Sequence, residues 1–138
     1  MAMKGLATEE HTEGEDRFVL ANPGPGILAT QVAGRAHLSQ VHALIAYQQQ
    51  VLEQHPGGMW VFHNWAEAQS YAQGVRETLV EWTNAHMDAI FRVHLVFRSR
   101  LIAMGVSVAM IGMKRIQVVS SVEELEAGLA EAVRARSL

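Results

Sequence analysis

The four residues Met59-Trp60-Val61-Phe62 are apolar on both sides of an extended chain, which a strand tolerates only at the centre of a sheet covered on both faces. One such strand already demands layers above and below it, and the rest of the chain supplies them. Helix-patterned segments alternate with short apolar runs from about residue 39 to the end, the arrangement of an α/β domain whose later strands run parallel. At 138 residues the chain is long enough to bury a full core without disulfides or metal.

Ahead of the central strand, Arg17 to Asn22 and Ile27 to Gly34 are short runs separated by Pro23-Gly24-Pro25-Gly26, which predicts a hairpin. Ser39 is placed to cap a helix with Val41, Leu44, Ile45, Val51 and Leu52 on its core face and Gln40, Gln48, Gln49, Glu53 and Gln54 on its polar face. Beyond the central strand, Tyr71, Val75, Leu79, Trp82 and His86 form one helical stripe. Ile90 to Phe97 alternates as a strand, Arg100 to Met113 reads as a third helix, and Ile116 to Val119 is a last strand. Ser121 and Glu124 form a capping box opening a helix with Val122, Leu125, Leu129 and Val133 inside. The predicted order is β-β-α-β-α-β-α-β-α, a mixed sheet of about five strands with a leading hairpin.

Charge is uneven. The first sixteen residues hold one lysine against five acids, while the remainder is nearly neutral within a net −3. Residues 1–16 are therefore expected to be a mobile acidic tail, and 17–138 a single domain. The neutral body argues against nucleic-acid binding. No secretory leader and no span of about 20 apolar residues are read from the chain, and the absence of cysteine fits a reducing compartment, so the expected location is cytoplasmic.

The order, lengths and loop positions over about 17–136 resemble the STAS domain family, which includes anti-sigma-factor antagonists and their SpoIIAA-like relatives. The resemblance implies a phosphorylatable serine at the start of the second helix, in a pattern close to Asp-Ser-Ser-Gly. The matching stretch is Ala68-Gln69-Ser70-Tyr71-Ala72-Gln73-Gly74, which keeps a serine but lacks the aspartate and the second serine. It also implies a protein partner, an anti-sigma-factor-type kinase, in a partner-switching pathway.

Ser70 is accordingly the first candidate: a phosphate there would add almost two charges at a helix start. Trp65 is expected in an exposed loop beside it as a recognition anchor, with Tyr71 adjoining. Arg98 and Arg100 are expected at the same rim, where guanidinium groups suit a phosphate or acidic partner. The run Leu101 to Met113 contains no charge. Either both its faces are covered or one meets a partner, and Met104, Val108, Met110, Ile111 and Met113 are the candidates for a homodimer interface.

Seven histidines show no metal-ligand spacing, although His63 and His94 fall on strands expected to be neighbours. No nucleophile, base and oxyanion donor assemble, and no glycine-rich phosphate loop is present. The reading is a non-catalytic regulatory interaction domain without cofactor or metal. The alternatives are a small-molecule or lipid-binding module of SpoIIAA-like fold, and a self-assembling structural protein.

Overall fold

The computed structural model describes residues 7–113 and 115–136. Its strands are β1 (Glu9–Glu13), β2 (Asp16–Gly24), β3 (Ile27–Ala36), β4 (Met59–Tyr71), β5 (Ile90–Phe97) and β6 (Ile116–Val118). Its helices are α1 (Leu38–Gln54), α2 (Val75–Ala85), α3 (Arg100–Gly112) and α4 (Val122–Arg136), with a 3-10 turn at Met87–Ala89. All strands join one sheet in chain order, β1 to β3 antiparallel and β3 to β6 parallel. The mixed α/β class holds, with a sixth strand added at the front.

Parallel strands laid down in sequence, joined by crossovers of one hand, send every crossover helix to the same face. Accordingly α1, α2 and α3 pack together on one side, where Phe18, Leu28, Val41, Leu44, Val61, Val75, Leu95 and Ile102 share a buried cluster. Helix α4 covers the other side through Leu125 and Ala132, against Ile27, Phe62 and Val96. The central strand is covered on both faces, as its apolar run requires: Val61 faces the first cluster and Phe62 the second.

The acidic leader departs from expectation. Glu9–Glu13 is not a mobile tail but an edge strand paired with Asp16–Leu20; residues 1–6 of that segment lie outside the described residues. Apolar burial does not hold it. The fully buried Gln40 carboxamide donates to the carbonyls of His11 (3.0 Å) and Asp16 (3.3 Å) and accepts from the His37 N–H (2.8 Å). Tyr47 donates its hydroxyl proton to the Ala7 carbonyl (3.1 Å). Ser39 donates to Glu13 (2.7 Å) instead of capping α1, which begins after His37. Acidic side chains on an edge strand also discourage pairing with another sheet.

Asp16, at the turn between β1 and β2, braces the corner from β3 into α1. Its carboxylate accepts from the Arg35 N–H at 3.0 Å and meets His37 Nε2 at 2.7 Å, and these hydrogen bonds hold its pKa below the usual range. Gly34 completes the corner, since its φ of 85° and the Asp16 carboxylate against it leave no room for a Cβ.

Candidate functional site

The carboxyl ends of β3, β4 and β5 meet at one rim, beside the start of α3. Arg35 and Ser70 are register partners there, and the Arg35 guanidinium donates to Ser70 Oγ at 3.3 Å. Ser99 caps α3 by accepting from the Ile102 N–H (3.4 Å) and donates its own proton to the Gln69 carbonyl (3.1 Å). The chain on either side of Ser70 is therefore stitched to both neighbouring elements.

Several expectations are corrected here. Ser70 does not open a helix: it lies in β4, which continues to Tyr71, and α2 starts only after Gly74. The strand persists because β3 keeps pairing with it through two register shifts, out to Arg35–Ser70 and Ala36–Tyr71. A phosphate on Ser70 would meet a guanidinium and not a helix dipole. Trp65 is not in a loop. It is a β4 residue packed against the core, its ring stacked on His63 with centroids 4.7 Å apart. Tyr71 is likewise half-buried against the core, and α3 approaches it so closely that a Cβ on Gly105 would lie 2.6 Å from its hydroxyl.

Arg98 and Arg100 flank Ser99 at the rim, exposed, with no hydrogen bond or ion pair among the described residues. The guanidinium that touches Ser70 belongs to Arg35, which the sequence reading missed. Its signal was positional: it ends the strand that a parallel crossover sets beside β4.

Helix α3 resolves the question left by its uncharged sequence. Ile102 and Val106 face inward, while Leu101, Met104, Val108 and Ile111 form an outward stripe at helical spacing, exposed by 46, 66, 52 and 87 %. Met110 is also exposed. Met113, expected on this surface, is buried at the end of the helix and lines a partly open cavity.

That cavity, about 100 Å³, lies between the sheet and the helices α1, α2 and α3. His63 stands on it, its Nδ1 2.6 Å from Thr30 Oγ1, and burial pushes its pKa down to about 3. His63 and His94 do not meet, because successive residues of a strand point to opposite faces. His94, paired with Phe62, lies on the α4 side, stacked on the Phe62 ring at 4.7 Å. Burial, with a smaller contribution from Arg92, lowers its pKa too. Among the described residues no three His, Asp or Glu side chains gather in a group able to hold a metal ion, and no helix is long and apolar enough to cross a membrane.

An antiparallel hairpin feeding a parallel sheet, with three helices on one face and one on the other, is a SpoIIAA-like, STAS-like fold. Solved structures similar to it include the following two. An uncharacterized protein of the DUF3478 family from Shewanella loihica PV-4, described as having a SpoIIAA-like fold, matches with a TM-score of 0.59 and 11% identity, over 94% of this chain and 99% of its own. The anti-sigma factor antagonist SpoIIAA in its unphosphorylated form matches with a TM-score of 0.62 and 12% identity, over 84% of this chain and 99% of its own. No protein-family model and no curated protein matches the chain.

Proposed function

We propose that the protein is a non-catalytic regulatory domain that docks a protein partner across the outer face of α3 and the adjoining Ser70 rim. The observation that carries this reading is the stripe Leu101, Met104, Val108 and Ile111, left exposed on a helix without an intervening charge. Arg98 and Arg100 border it without partners among the described residues, which suits an acidic or phosphorylated contact. The fold shared with an anti-sigma factor antagonist supports a partner of the anti-sigma-factor kinase type, acting in the cytoplasm. Phosphorylation of Ser70 would set almost two negative charges against the Arg35 guanidinium that already donates to its hydroxyl, and so change the charge of the rim.

The α3 stripe also suits a second copy of the chain. Sedimentation of the purified protein over rising concentration is expected to show a reversible dimer that Ile111→Lys abolishes; Ile111 is 87 % exposed, so the variant should fold normally. A monomer at every concentration eliminates the homodimer. If the variant also retains full binding to a purified kinase partner, the docking face itself is wrong.

A second role, holding a small molecule, is favoured by the cavity between the sheet and the helices. The two roles are compatible, since one uses the outside of α3 and the other its inside.

A further inference from the structure

The face of the sheet opposite α1, α2 and α3 has a single helix to cover it, and α4 lies over Ile27, Phe62 and Val96. It leaves the starts of β4 and β5 open. There Trp60, Phe91, Arg92, His94 and Arg136 line an open groove of about 530 Å³. Phe91 is 45 % exposed, Arg92 is exposed, and Trp60 and Arg136 are half-buried, so each presents surface to a ligand.

The rings in this groove are held in place. Trp60 lies parallel to His94 with centroids 6.1 Å apart, and Phe91 meets Trp60 edge-on at 6.2 Å. The Arg136 guanidinium sits 5.7 Å from the centre of the Phe91 ring while donating to the Pro25 and Gly58 carbonyls at 2.7 and 3.2 Å. Both side chains rest on glycine backbone: a Cβ on Gly26 would lie 2.6 Å from Arg136 Nη2, and one on Gly58 would collide with the Phe91 ring. Aromatic faces fixed in this way offer offset and edge contacts to another flat ring.

The charge on the groove is positive and uncompensated. No lining residue is acidic, and among the described residues neither Arg92 nor Arg136 is in an ion pair. His94, its pKa lowered by burial and by Arg92, adds no charge at neutral pH. Arg92 is the register partner of Trp60, so the two stand side by side. It donates from Nη1 to Gln117 Oε1 at 2.9 Å, and its Nε–Nη2 edge has no partner among the described residues. That edge can take a carboxylate in two parallel hydrogen bonds.

We propose that this groove binds a flat aromatic carboxylate, with the ring against Trp60 and Phe91 and the carboxylate on Arg92. The site lies on the opposite face of the sheet from α3 and is independent of the docking and cavity roles. The Trp60 indole N–H reports on it in a ¹H–¹⁵N titration, assigned with Trp60→Phe. Naphthalene-2-carboxylate is expected to give a saturable shift there, half complete at about 1 mM, and to leave the Trp65 indole N–H, on the other face, unmoved. Naphthalene-2-carboxamide, matched in shape but uncharged, and cyclohexanecarboxylate, charged but not aromatic, should each bind about fivefold more weakly. Arg92→Gln, at an exposed position, should bring the carboxylate down to the affinity of the carboxamide while leaving carboxamide binding and the thermal midpoint unchanged.

Equal binding of the carboxamide, or carboxylate binding that Arg92→Gln leaves intact, would overturn the recognition of an anion at Arg92 and with it the proposal. Equal binding of cyclohexanecarboxylate would overturn the aromatic class. No saturable shift at Trp60 would remove the site, and a shift at Trp65 in its place would move the ligand to the cavity beneath α3.

Discussion

Helices α1 and α3 pack on the same face of one sheet, and their surroundings differ in almost every respect. Around α1 most polar groups near the leader strand are engaged: Gln40 makes three hydrogen bonds, Ser39 and Tyr47 hold the leader strand, and Val41, Leu44 and Val51 are fully buried, Gln48 Nε2 being the exception. Around α3 the outer stripe is bare, and a cavity of about 100 Å³ lies between the helix and the sheet. The α1 half is complete as a fold. The α3 half carries the exposed stripe and the cavity, and the proposed docking and binding roles fall there.

The largest expected effect tests the complete half. Leu44→Ala should destabilise the protein by about 3 kcal/mol, since it opens a cavity in a fully packed site. Urea unfolding measures this through the midpoint at unchanged slope. A loss below about 1 kcal/mol would mean that the α1 half is as loosely packed as the other, and the contrast would fail.

Acid should expose the cavity side next. Burial holds the His63 pKa at about 3 against an ordinary 6.5, so the folded state refuses a proton that the unfolded chain accepts. Stability is therefore level above pH 6.5 and falls as pH drops from there toward 3. By pH 5 the loss attributable to His63 is about 2 kcal/mol. His94, also lowered, adds in the same direction. Asp16 has its pKa depressed from 3.8, so its contribution is lost only at lower pH, as the carboxylate protonates. Urea midpoints between pH 7 and 5 thus isolate the histidines, and His63→Gln should flatten most of the slope. An unchanged slope in that variant would place the titrating group elsewhere.

What could be read in the sequence divides along the same line. Strands β2 to β5 and helices α1, α2 and α4 were legible because each buries an apolar face whose period survives in the sequence, down to the double-sided run at Met59–Phe62, while α3 and β6 were read from apolar runs without such a period. The leader strand was not, because Glu9–Glu13 is held by backbone pairing and by polar tethers from α1. Gln40 and Gln48 were read only as part of a polar face for the same reason: polarity of a side chain does not reveal that a buried partner, or a cavity, awaits it. At the rim, Ser70, Arg98 and Arg100 could be gathered from topology alone. The contact with Arg35 depended on the β3–β4 register, which two shifts alter.

The smallest expected effect is the one that sharpens the contrast most. Met104 is 66 % exposed, so Met104→Ser should change the stability of dilute protein by less than about 0.5 kcal/mol, far below the loss at Leu44. Its consequence should appear only with concentration. If the stripe is covered by a second copy, the thermal midpoint of the wild-type protein rises with protein concentration, since association stabilises the folded state by mass action. In Met104→Ser that rise should be reduced while the dilute midpoint is kept. A variant equal to wild type at every concentration would show that the stripe is not used for self-association, and its occupant would then have to be a different partner.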